Sequence, residues 1–338
     1  MNRALCASIR AIAFALCGLL IAGCTAEGRS KTLLAREPAS ITTSQCDIEI
    51  VVLGTGQDAG APQIGYNNDP AWSDRSLRQT ATSIALVDRT SPATFLFDAA
   101  PHLAEQLQLL NATANLSEKN LGLSGVFITH AHIGHYAGLM FLGHEAAGTS
   151  KVPVYAMPRM REFLSTNGPW EQLVQFDNIV LEDLSDKETV ELSDRVAVTP
   201  YRVPHRDEYS ETVGFVIEVE NAHALYLPDI DSWTQWESEF GIRIQDMVES
   251  VDLVFIDATF YSDDELPGRD MSKIPHPRVA ATMDLLARLT AREKSRVNFI
   301  HYNHTNPIRF ADSEQTRAVL ARGFNVARAG DRHCLTGD

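Results

Sequence analysis

Basic residues are few in this chain: 29 Lys and Arg stand against 44 Asp and Glu, and the formal net charge is −15. If an N-terminal leader that contains Arg3 and Arg10 is removed, the charge falls from −15 to −17. A surface this acidic repels phosphate backbones, so nucleic acid is excluded as a partner and a small-molecule substrate is favoured.

Apolar runs long enough to span a membrane are also absent from the sequence. The longest apolar stretch near the N-terminus, residues 11–22, is too short, and has the wrong flanks, for a stable membrane span. The glycine-rich loop at residues 54–62 is not followed by a helical period, which excludes a dinucleotide-binding fingerprint. Three glycines in seven residues instead indicate a loop whose backbone lies close to another group.

The N-terminal residues 1–23 have the charge, length and small-residue end of a secretory signal. Their ending, Leu-Ile-Ala-Gly before Cys24, resembles the bacterial lipobox, which implies cleavage before Cys24 and attachment of a diacylglycerol to its sulfur. Thr25 replaces the aspartate linked to inner-membrane retention, so we expect an outer-membrane lipoprotein facing the periplasm. The alternatives are a plain cleaved signal and an uncleaved anchor. Residues 24–45 are polar and predict a tether, followed by a single domain over residues 46–338.

Cysteine is scarce, with five residues in the whole chain. Cys6 and Cys17 leave with the leader and Cys24 carries the lipid, so Cys46 and Cys334 remain. In an oxidising compartment two remaining thiols suggest a disulfide. The alternative is two unrelated cysteines.

Three of the eleven histidines, His130, His132 and His135, lie in a loop that follows a short apolar run. A single histidine is usually an ordinary core or surface residue. Three within six residues give a divalent cation most of a coordination shell, because neutral imidazole is a versatile metal ligand. The loop therefore predicts a metal site.

Three further predicted strands also end in ligand-type side chains. These are His205, Asp229 and His301. His304 competes with His301 for the last position, and we favour His301 because it lies at the strand end.

The histidine loop resembles the HxHxDH signature of the metallo-β-lactamase fold, with Gly134 in place of the aspartate. The resemblance implies an αββα sandwich, in which two facing mixed sheets have helices outside. It also implies a first metal held by His130, His132 and His205, and a second held by His135, Asp229 and His301, with Asp229 bridging. The ions would be one or two divalent metals, with zinc expected and iron or manganese as alternatives.

The missing aspartate at Gly134 has two explanations. Either the enzyme works with one metal, or another carboxylate replaces the aspartate. Asp58 in the glycine-rich loop is the candidate, and the alternative is that Asp58 only supports the turn.

The C-terminal half is similar to the pyrroloquinoline quinone biosynthesis protein B family. The similarity is carried by residues 253–266, 274–277 and 299–307, and also by the stretches 60–63 and 323–327. Members of that family are soluble and lack the full histidine cluster, so the resemblance implies a divergent, exported relative.

These residues predict a metal-dependent hydrolase that uses a metal-bound hydroxide on an ester, lactone, amide or phosphodiester of a small molecule. Asp229 would hold the water and receive its proton. His276 is the candidate general acid or substrate contact, with plain loop structure as the alternative, and Tyr302 is a second candidate to assist the leaving group. Asp257 is expected to orient a ligand histidine. The alternatives are a metal protein of quinone cofactor synthesis or oxygen chemistry, containing iron or zinc, and a non-catalytic carrier lipoprotein.

Strands and helices are predicted from periodicity and β-branched content. Helices are expected over residues 98–110, 139–144, 232–248, 278–289 and 313–321. Strands are expected over 48–53, 83–87, 93–97, 126–128, 152–156, 179–181, 196–203, 213–219, 224–227, 253–256, 297–301 and 325–328.

Overall fold

A computed structural model of the protein describes residues 46–114 and 116–336. The predicted leader, the lipidation site Cys24 and the tether lie outside the described residues. The described residues belong to one compact unit. None of their helices has the length and apolar character needed to cross a membrane.

The described residues form fourteen strands. In chain order they are β1 (Ile48–Gly54), β2 (Ser83–Asp88), β3 (Ala93–Phe97), β4 (Gly125–Phe127), β5 (Val152–Ala156), β6 (Ile179–Asp183), β7 (Val190–Glu191), β8 (Val196–Arg202), β9 (Val213–Val219), β10 (Ala222–Leu227), β11 (Leu253–Asp257), β12 (Val297–Ile300), β13 (Asn325–Val326) and β14 (Arg332–Thr336).

The strands make two sheets of seven, in the orders β14-β1-β2-β3-β4-β5-β6 and β13-β12-β11-β10-β9-β8-β7. Both sheets are mixed. In the first, β14, β1, β2 and β3 are antiparallel neighbours, and β3 to β6 are parallel. In the second, β7 to β10 are antiparallel and β10 to β13 are parallel.

Helices cover the outer faces of the sheets. They are α1 (Leu103–Ala114), α2 (Ile133–Tyr136), α3 (Pro158–Thr166), α4 (Trp170–Gln175), α5 (Trp233–Phe240), α6 (Ile244–Ser250), α7 (Val279–Leu285), α8 (Ala291–Lys294) and α9 (Glu314–Ala321). Short 3-10 helices lie at Pro70–Trp72, Arg75–Leu77, Lys119–Gly122, Ala137–Leu142, Met271–Lys273 and Pro307–Arg309.

Three buried clusters show the layering. One lies between the sheets and joins Phe97 and Phe127 of the first sheet to Phe215 of the second. A second lies outside the first sheet, where Leu103 and Leu110 of α1 pack. The third packs the helices α5 to α7 and α9 on the second sheet. Strands buried on both faces need continuous apolar sequence, as in β1. The predicted αββα sandwich is confirmed.

The helix expected from Asp98 begins later, at Leu103, so that boundary is wrong. Asp98 has φ 68°, in the left-handed region, which a right-handed helix cannot use. The carboxylate of Asp98 instead accepts hydrogen bonds from the backbone N and the Oγ1 of Thr129, both at 2.9 Å. Asp98 therefore lies directly after β3, and its carboxylate contacts Thr129, which follows β4.

Two other helix predictions also needed correction. The helix expected over residues 232–248 is two helices, because Gly241 (φ 71°) ends α5. The helix expected over 139–144 is replaced by α2 and the 3-10 helix Ala137–Leu142. The helices α3, α4 and α8 and the strands β7 and β14 were not predicted. Strand β14 pairs with β1 from the far end of the chain, which no local pattern indicates.

Cys46 and Cys334 form a disulfide, with their Cα atoms 5.7 Å apart. Cys334 lies on β14 and Cys46 lies just before β1. The bond therefore joins the first and last described strands.

Candidate metal centre

The carboxylate of Asp229 lies at the centre of a group of imidazoles. Its Oδ2 is 3.2 Å from Nε2 of His205 and 3.5 Å from Nε2 of His130. The Nε2 atoms of His301 and His135 lie 3.7 and 3.8 Å from the same oxygen. One carboxylate oxygen thus faces four ring nitrogens, which is the placement expected of a ligand shared between two ions.

The two expected metal groups are both brought together. Ligand atoms of His130, His132, His205 and Asp229 lie within 4.8 Å of one another, and Nδ1 of His132 is 3.1 Å from Nε2 of His205. The second group holds His135, Asp229 and His301 within the same limit. A third group joins Asp229 to Asp257 and His276.

The donors fit a divalent cation. Within the described residues, Nε2 of His130 and Nε2 of His301 are buried and make no hydrogen bond. A buried polar atom left without a partner is costly, and an unfilled ion site is one of the explanations for such atoms. The chemistry of the set, histidine nitrogens with a carboxylate, suits zinc as well as iron or manganese.

In four of the histidine rings, Nδ1 is hydrogen-bonded to a neighbouring side chain, and Nε2 faces Asp229. Nδ1 of His135 lies 2.8 Å from Asp98 Oδ2, and Nδ1 of His205 lies 2.7 Å from Asp231 Oδ1. Such bonds fix the tautomer and direct the other nitrogen toward the ion. Nδ1 of His130 and Nδ1 of His301 are held by Thr129 Oγ1 and Thr259 Oγ1, at 2.9 and 3.2 Å.

The ligands share a position at strand ends. His130 follows β4, His205 follows β8, Asp229 follows β10, and His301 follows β12. The carboxyl ends of the parallel strands meet at one edge of each sheet, so these loops converge. His301 has φ 64° and therefore does not continue β12, contrary to the expected strand boundary. Strained backbone of this kind is concentrated at functional sites.

Gly134 leaves no room for the aspartate of the family signature. A Cβ at this position would lie 2.4 Å from the backbone O of Asp58. The glycine-rich loop therefore passes through the space that the aspartate side chain would enter. Asp58 is exposed, adopts φ 49°, and lies in a turn closed by the Gly60 N to Gln57 O hydrogen bond of 2.8 Å.

Of the supplementary candidates for the metal site, Asp257 lies in the third of the metal groups of the described residues, with Asp229 and His276. Asp58 and His304 belong to none of these groups, so neither is placed as a ligand. The ring of His304 packs on Tyr66 instead, with centroids 5.2 Å apart. The expected role of Tyr302 is wrong, because its hydroxyl is buried and donates to the carbonyl of Ala327 at 3.0 Å.

His276 lies against the second group. Its Nδ1 is 2.9 Å from Asp257 Oδ2 and 3.3 Å from Asp229 Oδ1. Burial lowers the pKa of His276, but the carboxylates of Asp257 and Asp229 outweigh burial and raise it. Asp257 thus orients His276, whereas the expected partner was one of the metal-ligating histidines.

The pKa values of two histidines in the first metal group are shifted in opposite directions. Burial, with the neighbouring His205 ring, lowers the pKa of His132 to about 4. Burial disfavours the His205 cation as well, but Asp229 and Asp231 outweigh it and raise the pKa of His205 to about 10. Imidazole binds a metal ion in its neutral form, so ion binding here competes with protonation of His205.

Sequence reasoning missed the partners of the ligand rings. They are Asp98, Thr129, Asp231 and Thr259. A signal was available for two of them, because Asp98 directly follows β3 and Asp231 lies two residues after Asp229.

The profile of the beta-lactamase superfamily domain matches residues 93–302. The chain belongs to this family. As a member of the metallo-β-lactamase superfamily it combines the αββα fold with the groups of His and Asp side chains described above.

Curated relatives within the superfamily include coenzyme PQQ synthesis protein B. The protein of that name from Rhizobium meliloti (strain 1021) is 27% identical, over 84% of this chain and 97% of its own length. The protein from Methylococcus capsulatus is 24% identical, over 83% and 98%.

Solved structures show the same fold. Zn(2+)-bound PqqB from Methylobacterium extorquens superposes with a TM-score of 0.69 at 23% identity, covering 84% of this chain and 99% of that one. A diphosphatase from the PhnP family gives a TM-score of 0.60 at 21% identity, covering 85% and 98%. At these identities the similarity concerns the fold alone.

Proposed function

We propose that the protein is a metal-dependent hydrolase of the metallo-β-lactamase fold that cleaves an ester, lactone, amide or phosphodiester bond of a small molecule. The observation that carries the proposal is the position of Asp229 Oδ2, which lies 3.2 to 3.8 Å from four imidazole nitrogens. Clusters of titratable side chains of this kind are typical of functional sites, and hydrolytic metal sites require them to bind the ion.

His130, His132 and His205 would hold the first ion, and His135, Asp229 and His301 the second, with Asp229 shared. A divalent ion bound there would lower the pKa of a water molecule toward about 7 and would polarise the bond to be cleaved.

The chain's own residues supply proton transfer. Asp229 orients the attacking water and accepts its proton. His276, held by Asp257 at 2.9 Å, donates a proton to the leaving group. Asp229 therefore assists the attacking water, and His276 assists the leaving group.

The test is turnover of ester, lactone, amide and phosphodiester substrates by His132→Ala and His276→Ala. Loss of His132 should lower both bound zinc and turnover. Loss of His276 should lower turnover by roughly 10²- to 10⁴-fold while zinc is retained. His144→Ala, a histidine outside the three metal groups of the described residues, is the control. Unaltered zinc and turnover in His132→Ala would refute the assignment.

A second candidate is a metal protein of quinone cofactor synthesis. It is favoured by the similarity to coenzyme PQQ synthesis protein B, which extends over 84% of the chain. Elemental analysis after native purification separates the two proposals. Iron together with oxygen consumption supports the second candidate, and zinc together with hydrolysis supports the first.

We also propose that the chain is an exported lipoprotein anchored through Cys24 and facing the periplasm. The Cys46–Cys334 disulfide supports an oxidising compartment. Labelled palmitate should be incorporated by the parent chain and not by Cys24→Ser. Equal labelling of the two would contradict the lipid anchor.

A further inference from the structure

Several of the exposed large apolar side chains lie on the loops around the metal centre. They are Ile64, Tyr66, Ile133 and Tyr209, whose exposed fractions are 83%, 45%, 54% and 64%. We call these four residues the apolar collar. In a chain with a net charge of −15, apolar exposure of this extent at one site needs a reason.

Ile64 and Tyr66 lie on the loop between β1 and β2, and Ile133 lies on the histidine loop. Tyr66 packs on His304, and its carbonyl accepts a 2.9 Å hydrogen bond from Trp72 Nε1, which fixes the loop that also carries Ile64. Ile133 directly follows His132 and begins α2.

Tyr209 lies on a third loop that is tied to the histidines. The residue before it, Glu208, has its Oε2 3.4 Å from Nε2 of His132. The hydroxyl of the residue after it, Ser210, accepts a 2.8 Å hydrogen bond from the backbone N of Ala131. The Tyr209 ring also packs against Phe163, with centroids 5.4 Å apart. It is therefore held near the site.

The arginines of this region are paired with acids. Arg206, next to His205, lies 3.5 Å from the Glu208 carboxylate. Arg159 donates to the carboxylate of Asp207 at 3.3 Å and to its carbonyl at 2.8 Å. Recognition of a phosphate anion uses cations that are free to pair with it. These two arginines are engaged, and Glu208 adds negative charge beside His132.

We propose, on the basis of the hydrolase function above, that the substrate is an uncharged carboxylic ester or lactone whose apolar part packs against the collar. Ligand sites combine a mostly apolar lining with a few polar groups that fix orientation. Here the metal centre and His276 are the polar groups, and the collar is the apolar lining.

The reaction is a hydrolysis and needs no oxidant or reductant. The oxygen of water bonds to the carbonyl carbon, and the carbon–oxygen bond to the alcohol breaks. The departing oxygen takes a proton from His276, and the proton lost by water passes through Asp229. The products are a carboxylic acid and an alcohol.

The experiment compares zinc-loaded protein on p-nitrophenyl acetate, butyrate, hexanoate and octanoate with bis(p-nitrophenyl) phosphate. We expect kcat/KM to rise roughly two- to fourfold for each methylene that the collar covers, mainly through KM. The phosphodiester should be the poorest substrate. A flat chain-length series, or a phosphodiester turned over faster than the esters, would overturn the proposal.

The variant Ile64→Ala/Tyr209→Ala should lose roughly fivefold or more of the octanoate kcat/KM while acetate turnover stays within about twofold. Both side chains are exposed, so folding should be preserved. Leu320→Ala is the matched control. Leu320 is also an exposed apolar side chain, at 52%, and it lies on α9, a helix that carries no collar residue. Equal losses in the variant and the control would contradict the role of the collar.

A binding measurement gives a readout independent of turnover. The inert ketone in which CH2 replaces the ester oxygen of p-nitrophenyl octanoate is titrated calorimetrically into parent and variant proteins. Weaker binding to the collar variant supports the proposal, and equal binding overturns it. If zinc is bound and esters are hydrolysed without chain-length dependence, only the collar fails. If none of these substrates is turned over, and the lactones and amides of the earlier test are not turned over either, the hydrolase proposal fails.

Discussion

Asp98 is the buried residue on which the second metal group most depends. Its Oδ2 lies 2.8 Å from Nδ1 of His135 and accepts a 3.0 Å hydrogen bond from the Tyr226 hydroxyl. Its Oδ1 accepts two hydrogen bonds from Thr129, which precedes His130. One carboxylate thus sets both the orientation of a ligand ring and the start of the histidine loop.

Asp98→Asn should weaken the second ion roughly 10- to 100-fold, because an amide holds the His135 tautomer less well than a carboxylate does. Zinc titration with a competing chelator measures the change. The control is Asp88→Asn, an equally buried carboxylate that accepts bonds from Thr90 and Ser91. Unchanged zinc affinity in Asp98→Asn, or an equal loss in the control, would contradict this role.

Restoring the family aspartate at Gly134 should not create a stronger second site. We expect Gly134→Ala and Gly134→Asp to lower the free energy of unfolding by about 1–3 kcal/mol, because the added carbon meets Asp58 backbone. Urea unfolding measures this. Gly143→Ala is the control, since its nearest contact is a Leu173 methyl group that can move. An added zinc equivalent in Gly134→Asp without loss of stability would contradict the packing argument.

The candidate metal-binding residues could be predicted from sequence because they lie in the histidine loop or directly after a local strand signal. Their partners could not all be read, because contacts such as Asp98 to Tyr226 join residues 128 positions apart. Asp58 was a candidate to replace the missing aspartate, with support of the turn as the alternative. Its placement outside the metal groups of the described residues depends on the path of the glycine-rich loop, which pairs through Gln57 N with the carbonyl of Tyr302 at 3.1 Å.

At the scale of elements, the long loop between β1 and β2 is fastened by a buried ion pair. Arg309 donates to both oxygens of Asp69, at 2.6 and 2.9 Å, and both side chains are almost fully buried. Asp69 also caps the 3-10 helix Pro70–Trp72. The pair therefore joins the loop carrying Ile64 and Tyr66 to the segment after His301.

Arg309→Met should lower the free energy of unfolding by about 3–5 kcal/mol, because it leaves the Asp69 charge buried without a partner. Adding Asp69→Asn should recover part of the loss. Arg322→Met removes the exposed pair with Asp284 and should cost less than about 1 kcal/mol. Urea unfolding of the four proteins is the measurement, and equal effects in the buried and exposed pairs would contradict the expectation.

Strands were predicted better than helices, for a physical reason. Strands such as β5 and β9 are short runs of β-branched residues that keep this pattern wherever they are placed. The helices α3 and α4 follow closely after β5 within a polar segment, and tertiary packing of a few apolar residues such as Met160 and Leu164 decides their formation.

At the scale of the whole molecule, β14 closes the first sheet beside β1. Arg332 on β14 donates to both carboxylate oxygens of Glu49 on β1, each at 2.8 Å, and Arg89 pairs with the same carboxylate. Burial raises the pKa of Glu49, but the two arginines outweigh burial and hold it below its usual value. The first and last strands of the described residues are therefore joined by charge as well as by the disulfide.

This linkage predicts an acid-dependent loss of stability. Because the folded pKa of Glu49 is depressed, its contribution is complete above the unfolded value of 4.5 and disappears as pH falls through the folded pKa. At neutral pH, Glu49→Gln should be less stable than the parent by about 2 kcal/mol, and the difference should shrink as the pH falls below 4.5. Urea midpoints across this range test it.

The matched control for Glu49 is Glu220→Gln, which removes an exposed pair with Arg195. Its stability curve should run parallel to that of the parent protein. A Glu49→Gln curve that also runs parallel would contradict the linkage.

The sandwich itself could be predicted because the histidine motif fixed the fold class and the alternation of strands and helices agreed with it. The order of strands could not be derived, since the pairing of β1 with β14 links residues 48 and 336. Burial on both faces of β1 and β2 also removes the alternating pattern that would assign a face.

The central claim is that residues from both sheets form one cage for a catalytic cation. The most direct test is the zinc retained by the purified protein after loading and desalting, measured by elemental analysis beside His205→Ala and His144→Ala. We predict about one to two zinc ions per chain in the parent and in His144→Ala, and a loss of at least about one in His205→Ala. A parent protein that retains no divalent metal, or a His205→Ala protein that retains as much as the parent, would contradict the account.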